Sequence, residues 1–127
     1  MENKYSLIGK KILIVEDEFI VTELLQKYFQ ELEELKDAEI FFANNVEQCI
    51  ELLEKEKPTL MILDLSLNGA AENTGLKILN KYKGLLKIAV FSAYDDYMVQ
   101  CLNEGAIEYV HKPANRDEYR RLILEHA

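Results

Sequence analysis

The sequence predicts an α/β domain of the doubly wound (βα)5 type, a three-layer sandwich in which a parallel five-stranded sheet of order 2-1-3-4-5 lies between helices. Short runs of large apolar residues alternate five times with longer segments whose apolar residues recur at helical spacing. The short runs are nearly continuous, which is typical of parallel strands buried on both faces. With 127 residues, 49% of them apolar, the chain can form one sizeable core but not two.

The first unit joins the strand KILIV, residues 11–15, to a helix predicted from Glu18 to about Leu35. The apolar residues of that helix follow a helical period: Ile20, Leu24, Leu25, Tyr28, Phe29 and Leu32. The later strands are predicted at EIFFA (39–43), TLMIL (59–63), KIAVF (87–91) and IEYV (107–110). The later helices are predicted at about Val46–Glu56, Gly75–Tyr82, Asp95–Asn103 and Asn115–Glu125. We therefore expect one domain over residues 1–127, with a core from about 10 to 124 and no output domain.

Composition and charge limit the functions that such a domain can have. Asp and Glu number 23 against 15 Lys and Arg, so the formal net charge is −8. Direct binding to nucleic acid or to an anionic membrane is therefore not expected. Cys49 and Cys101 show neither CxxC nor Cys/His spacing, which argues against a disulfide framework or a zinc site. Because the chain has neither a signal-peptide pattern nor an apolar run of membrane length, we expect a cytoplasmic protein.

Polar residues follow several predicted strands, at the edge of the sheet where open α/β domains bind their ligands. Glu16 and Asp17 follow the first strand, Asp64 the third, Ser92 the fourth and Lys112 the fifth. In the order 2-1-3-4-5 these four strands are neighbours, so the five side chains can meet in one pocket. The second strand, which is followed by the pair NN, lies outside this group.

Three carboxylates in one pocket require a compensating cation, because like charges at short range raise one another's pKa. Oxygen-only ligands favour a hard divalent ion, and we expect Mg²⁺. Asp64 is then placed to attack a phosphoryl donor and to form an aspartyl phosphate. Lys112 would supply positive charge to the transferred oxygens, and Ser92 would donate a hydrogen bond to the product phosphoryl group.

Each of these residues also has an ordinary structural interpretation. Asp17 can favour the start of a helix, Asp64 can be a turn residue, and Ser92 can be a polar loop residue. Lys112 can be one of many exposed lysines. The functional interpretation depends on their joint placement after strands that can converge, which is much more specific than any one residue.

Four segments resemble the successive signatures of response regulator receiver domains from two-component signalling: ILIVEDE, LMILDLSL, AVFSAYD and EGAIEYVHKPAN. The resemblance extends from about Lys10 to Leu124, with every strand end in register. It implies a flavodoxin-like fold and a phosphoacceptor signalling domain rather than an enzyme with an external substrate. Asp64 would accept the phosphoryl group from a histidine kinase or a phosphotransfer protein in a Mg²⁺-dependent reaction.

The resemblance also implies roles for the other residues of the site. The metal ligands would be the side chains of Glu16, Asp17 and Asp64 and the backbone carbonyl of Ser66. Lys112 would pair with the phosphoryl group, and a cis peptide bond before Pro113 would aim the lysine. Ser92 and Tyr109 would form the switch that responds to phosphorylation.

Two protein interfaces follow from the same resemblance. The phosphodonor would dock near the first helix. Phosphorylation would change the face made by the fourth helix, the fifth strand and the fifth helix, where a downstream protein or an output domain absent from this chain would bind. We expect a monomer or a weak dimer.

Two departures from the family pattern qualify this interpretation. Glu16 stands where aspartate is commoner, so its longer side chain would hold the metal through water or more loosely. The loop LNGAAENTG has about three extra residues over Asn68 to Thr74. This insertion is either a tolerated surface feature or a segment that gates the phosphoryl site or helps to select the kinase.

Two other functions are compatible with these residues. One is a pseudo-receiver that is not phosphorylated and acts only as a binding module, and the retention of all five pocket residues counts against it. The other is a small Mg²⁺-dependent phosphatase with an aspartyl phosphate intermediate. Such a phosphatase would more often have a second acid two residues after the nucleophile, where this chain has Ser66.

Overall fold

The computed structural model describes residues 7–65, 74–93, 97–112 and 115–127. They form a parallel five-stranded sheet in the order β2-β1-β3-β4-β5 with five α-helices, so the predicted flavodoxin-like fold and strand order are confirmed. The predicted carbonyl of Ser66, the peptide bond before Pro113 and residues 68–73 of the inserted loop lie outside the described residues. Within the described part of the chain, no helix combines the length and apolar character that crossing a membrane requires.

The strands and helices follow the predicted boundaries closely. The strands are β1 Lys11–Val15, β2 Glu39–Ala43, β3 Leu60–Asp64, β4 Lys87–Ser92 and β5 Glu108–His111. The helices are α1 Phe19–Gln30, α2 Val46–Glu56, α3 Thr74–Tyr82, α4 Met98–Asn103 and α5 Arg116–His126. Strands β3 and β4 end one residue later than the apolar pattern predicted, because strand pairing continues through Asp64 and Ser92. These two polar residues therefore belong to the sheet itself.

The first helix is shorter than its apolar pattern predicted. α1 ends at Gln30, and a separate 3-10 turn spans Glu33–Leu35. The N–H of Leu32 donates to the carbonyl of Phe29, three residues earlier, which tightens the chain out of α-helical geometry. Leu35 is nevertheless buried. Of the apolar residues predicted for this helix, Leu25, Tyr28 and Phe29 are buried, whereas Ile20 and Leu24 are exposed. The apolar spacing thus identified only part of the buried face and not the type of helix at its end.

The core has two halves, one on each face of the sheet, because strand side chains alternate between the faces. The half that packs against α2, α3 and α4 includes the strand residues Leu13, Val15, Met61, Leu63, Ile88 and Val90. The half that packs against α1 and α5 includes Ile12, Ile14, Leu60, Ile62, Ala89 and Phe91. All five residues of β3 are buried. By this alternation Asp64 lies on the face of Ile62, toward α1 and α5.

Candidate functional site

The predicted site residues lie at the carboxyl ends of four neighbouring strands. Glu16 follows β1, Asp64 and Ser92 are the last residues of β3 and β4, and Lys112 follows β5. Glu16, Asp64 and Ser92 are buried, whereas Asp17 and Lys112 are partly exposed. The structure therefore brings the five predicted pocket residues to one edge of the sheet.

Backbone hydrogen bonds that extend the sheet past its strand ends position two of these side chains. The N–H of Glu16 donates to the carbonyl of Ala43 at 2.9 Å, and the N–H of Lys112 donates to the carbonyl of Ser92 at 2.7 Å. These bonds fix the residues after β1 and β5 on either side of β3, which ends in Asp64. The geometry of the site is thus set by the rigid sheet rather than by free loops.

Three carboxylates and one ammonium group form the centre of the site. Glu16, Asp17 and Asp64 each offer an oxygen, and these oxygens lie within 4.8 Å of one another. Lys112 Nζ lies 2.8 Å from Asp64 Oδ2 and 3.4 Å from Glu16 Oε1. With all four side chains ionised, three negative charges face one positive charge. This donor set fits a hard divalent cation, which prefers carboxylate oxygens and would neutralise the remaining charge.

The electrostatics of the pocket affect Glu16 and Lys112 in particular. Burial raises the pKa of Glu16 to about 7, with the repulsion of Asp64 adding to the increase and the attraction of Lys112 opposing it. Burial alone would lower the pKa of Lys112, but its hydrogen bond to Asp64 and the charges of Asp64 and Glu16 raise it overall. Lys112 is therefore charged at neutral pH.

A metal-free sample is expected to lose stability as the pH rises through the range in which Glu16 titrates. Its pKa in the folded state, about 7, lies above the ordinary value of 4.5, so the folded protein binds a proton that the unfolded chain releases. The resulting stabilisation is fully present below about pH 4.5 and is lost as the pH passes about 7. Urea unfolding in a chelator across this range measures it.

The Glu16→Gln variant is the matched control for this titration, because glutamine has a similar shape and no ionisable proton. Its free energy of unfolding is expected to vary less with pH than that of the unmodified protein over the same range. Equal pH dependence in the two proteins would contradict the assignment of the titration to Glu16.

The two predicted switch residues lie on adjacent strands. Ser92 ends β4 and is fully buried, and Tyr109 lies in β5 opposite Val90. Tyr109 is half-buried and packs against the core half that contains Cys101 of α4. Ser92 and Tyr109 therefore lie on neighbouring, paired strands.

Asn44 contacts the acidic loop, a role that the sequence did not predict. Asn44 follows β2, and its side-chain amide donates to the backbone carbonyl of Glu16 at 2.8 Å and to Thr22 Oγ1 at 3.1 Å. The sequence signal was the NN pair, but the strand order places β2 at the edge of the sheet, away from Asp64. Asn44 contributes because the end of β2 lies beside the loop that follows β1.

Helix α5 contributes a second residue that was not predicted. Tyr119 is buried, and its ring centroid lies 4.6 Å from that of Phe91, the residue opposite Asp64 in the sheet. Burial, and next the charges of Glu16 and Asp64, raise the pKa of Tyr119, so its hydroxyl stays protonated in the field of the acidic pocket. In the sequence, its spacing to Leu122 and Ile123 indicates only a core position.

Comparison with known proteins identifies similar sequences. The family model for the response regulator receiver domain matches residues 12–124. The sensory transduction protein LytT of Bacillus anthracis is 35% identical over 108 residues, which are 84% of this chain and 43% of LytT. The sporulation initiation phosphotransferase F of Bacillus subtilis (strain 168) is 29% identical over 125 residues, 94% of this chain and 95% of that protein. The chain thus spans less than half of LytT but nearly all of the phosphotransferase.

Solved structures show the same fold. A response regulator receiver domain protein from Methanospirillum hungatei JF-1 matches with a TM-score of 0.75 and 25% identity, over 91% of each chain. A response regulator from Burkholderia pseudomallei, solved with a phosphorylated aspartic acid, a calcium ion and citrate, matches with a TM-score of 0.73 and 24% identity. That match covers 91% of this chain and 66% of the other.

Proposed function

Because this chain belongs to the response regulator receiver domain family of two-component signalling, we propose that Asp64 is the residue on which it accepts a phosphoryl group. A receiver is a phosphoacceptor domain, not a classical enzyme, and it requires a kinase or phosphotransfer partner. The observation that supports the assignment is the position of Asp64, which ends the central strand beside Lys112 Nζ and within the cluster of three carboxylates.

The transfer itself exchanges one bond to phosphorus for another. An Asp64 carboxylate oxygen attacks the phosphorus of a phosphohistidine on the partner. The new P–O bond forms while the P–N bond breaks, and the departing imidazole nitrogen keeps the electron pair of that bond. Lys112, which already contacts Asp64, would balance the charge on the transferred oxygens and then pair with the phosphoryl group.

We assign Mg²⁺ to the acidic cluster of Glu16, Asp17 and Asp64, with the backbone carbonyl of Ser66 as a further expected ligand. When bound, Mg²⁺ supplies positive charge to the phosphoryl oxygens during transfer. The oxygen-only donor set and the excess of negative charge around Lys112 support this choice. Glu16, with its longer side chain, would hold the ion through a water or more loosely than an aspartate at this position.

The phosphoryl group would then act on the switch residues. Ser92 donates a hydrogen bond to the new anion, and Tyr109 moves inward behind it. A 100-fold shift between the two states requires about 2.7 kcal/mol, which two charge-assisted hydrogen bonds can supply. The proposed cis bond before Pro113 would hold Lys112 toward the anion.

Intact-mass measurement after incubation with Mg²⁺ and acetyl phosphate tests this function. The expected result is a mass gain of one phosphoryl group, with acetate as the leaving group in place of the partner histidine. A chelator should abolish this gain because it removes Mg²⁺. A folded protein that gains no mass with any donor or metal concentration would instead be a pseudo-receiver that acts only by binding. Sustained hydrolysis of phosphate monoesters would indicate the phosphatase.

The phosphodonor partner would dock on the start of α1. Three large apolar side chains there, Phe19, Ile20 and Leu24, are 63%, 69% and 61% exposed. They form an apolar patch close to the acidic loop, and such patches are typical of protein interfaces. A donor histidine that reaches Asp64 must bring its own protein against this patch.

Replacing Ile20 with aspartate is expected to slow transfer from a partner kinase by about tenfold or more, because a charge would be buried at the interface. Phosphorylation by acetyl phosphate should not change, because that donor needs no docking surface. Leu85→Asp is the control. Leu85 is 76% exposed and precedes β4, so it lies at the amino ends of the strands, opposite the carboxyl ends that form the site. If both variants slow kinase transfer equally, the patch is not the docking site.

The signalling output would involve the face of α4, β5 and α5. Met98, Val99 and Leu102 of α4 are exposed apolar residues on that face, next to the strand that carries Tyr109. We propose that a downstream protein, or an output domain in a longer protein, binds there. We do not propose direct contact with nucleic acid or membrane. For the oligomeric state, a monomer or a weak dimer stays a prediction.

The domain boundaries and the compartment are also proposals. We propose that residues 1–127 contain one receiver unit, which the match along nearly the whole of the sporulation initiation phosphotransferase F supports. We place the protein in the cytoplasm because Cys49 and Cys101 are free, buried thiols.

A further inference from the structure

Asn44 connects three segments that surround the acidic loop. Its side-chain nitrogen donates to the carbonyl of Glu16 at 2.8 Å and to Thr22 Oγ1, in α1, at 3.1 Å. Its backbone N–H donates to Gln48 Oε1, in the first turn of α2, at 2.8 Å. One residue at the end of an edge strand therefore links the loop after β1 to both α1 and α2.

The chemistry of its partners determines how the Asn44 side chain is oriented. The Glu16 carbonyl can only accept a hydrogen bond, so the amide nitrogen of Asn44 must face it. Thr22 is buried, and its hydroxyl donates to the carbonyl of Glu18 at 3.4 Å, so its oxygen can accept from Asn44. Both N–H groups of the amide are thus used: one holds the loop after β1 at Glu16, and the other holds α1, which follows that loop.

This anchoring matters because the first acid of the pair is a glutamate. Its side chain has one more rotatable bond than aspartate, so more conformational freedom must be lost to hold the carboxylate in place. The Glu16 carboxylate contacts Lys112 Nζ and the N–H of Glu18, each at 3.4 Å, and both are long hydrogen bonds. The Glu16 backbone is held at its N–H by the carbonyl of Ala43 and at its carbonyl by Asn44, and this fixed backbone helps to order the carboxylate.

We propose that Asn44 is a positioning residue for the metal site: by holding the Glu16 backbone, it keeps the Glu16 carboxylate beside those of Asp17 and Asp64. This inference rests on the proposed function, because it presumes that the cluster binds Mg²⁺. Asn44 does not touch the metal or the phosphoryl group and acts only through Glu16.

Its neighbour provides a matched control. Asn45 caps α2, where its side-chain oxygen accepts a hydrogen bond from the N–H of Gln48 at 2.8 Å. Asn45→Ala and Asn44→Ala therefore change the same residue type, one position apart, and each removes hydrogen bonds at this end of the molecule. Only the Asn44 variant releases the Glu16 carbonyl.

The test is direct Mg²⁺ titration of the folded proteins by calorimetry, with urea unfolding in a chelator as the measure of stability. Asn44→Ala is expected to bind Mg²⁺ about tenfold more weakly, the usual loss when a residue that orients a metal ligand is removed. Asn45→Ala is expected to lose stability but to keep its Mg²⁺ affinity. At saturating Mg²⁺, the rate of phosphorylation of Asn44→Ala by acetyl phosphate should return to that of the unmodified protein.

Asn44→Leu is the second variant if alanine prevents folding, because leucine has a similar size but neither the N–H donors nor a charge. It too is expected to weaken Mg²⁺ binding about tenfold. If the unmodified protein binds Mg²⁺ and the Asn44 variants bind it equally well, the inference is overturned while the proposed function stands. If the unmodified protein binds no Mg²⁺, both the metal assignment and this inference are wrong.

Discussion

Asp64→Asn is expected to accept no phosphoryl group while the domain stays folded. Asparagine keeps the shape of the side chain, but an amide oxygen is a poor nucleophile toward phosphorus and carries no charge. The fold should persist because Lys112 still contacts Glu16 and because β3 stays enclosed in the core. Intact-mass analysis with acetyl phosphate and Mg²⁺ is the measurement, with circular dichroism to confirm folding.

Asp17→Asn is the matched control for the acceptor. It also removes one carboxylate from the cluster, but from a partly exposed residue outside the strands. We expect it to need more Mg²⁺ and to react more slowly, by about 10-fold to 100-fold, and still to gain one phosphoryl group. Phosphorylation of Asp64→Asn to the same extent would show that another residue is the acceptor.

Lys112→Met is expected to destabilise the metal-free domain by about 3 kcal/mol, because it leaves buried carboxylates without their cation. The side chains of Asp64 and Glu16 are only 4% and 3% exposed, so the ammonium group compensates most of the cost of burying their charges. The loss should be largest above about pH 7, where Glu16 is ionised, and smaller where it is protonated. Urea unfolding in a chelator at the two pH values measures both effects.

Lys11→Met is the control for removing a lysine from an ion pair. Lys11 Nζ lies 3.3 Å from Glu56 Oε1, but this pair is far more exposed, and its loss should cost less than about 1 kcal/mol. Added Mg²⁺ should restore stability mainly in Lys112→Met, because a cation in the acidic cluster takes over the charge of the missing ammonium. Equal losses in the two variants would contradict the buried charge balance described for the pocket.

The sheet and the pocket were predictable because both follow from local patterns in the chain. A continuous apolar run such as LMIL can be buried on both faces only within a covered sheet, and parallel strands bring their carboxyl ends to the same edge. Asp64, Ser92 and Lys112 were therefore located by their places after strands. The acceptor and switch roles were added by the family resemblance, not by these patterns.

The exact ends of helices and strands depend on hydrogen bonds and packing, which the spacing of apolar residues does not determine. The apolar pattern ran on to Leu35, but α1 stops at Gln30 because the backbone tightens into a 3-10 turn. Strands β3 and β4 include the polar residues Asp64 and Ser92, since strand ends are set by pairing with a neighbour rather than by hydrophobicity. Boundaries of this kind require the partner strand or the next turn to be known.

By itself, the sequence determined the five strand–helix units and the acidic residues at the strand ends, because apolar spacing differs between buried strands and helices. The strand order was predicted from the doubly wound fold class, and strand pairing in the structure confirms it. Only the tertiary structure showed that Asn44 contacts the acidic loop, since its hydrogen bond to Glu16 joins residues 28 positions apart. It likewise placed Tyr119 of α5 in the field of Asp64 and Glu16. A polar side chain has many possible partners, and only the approach of distant segments selects one of them.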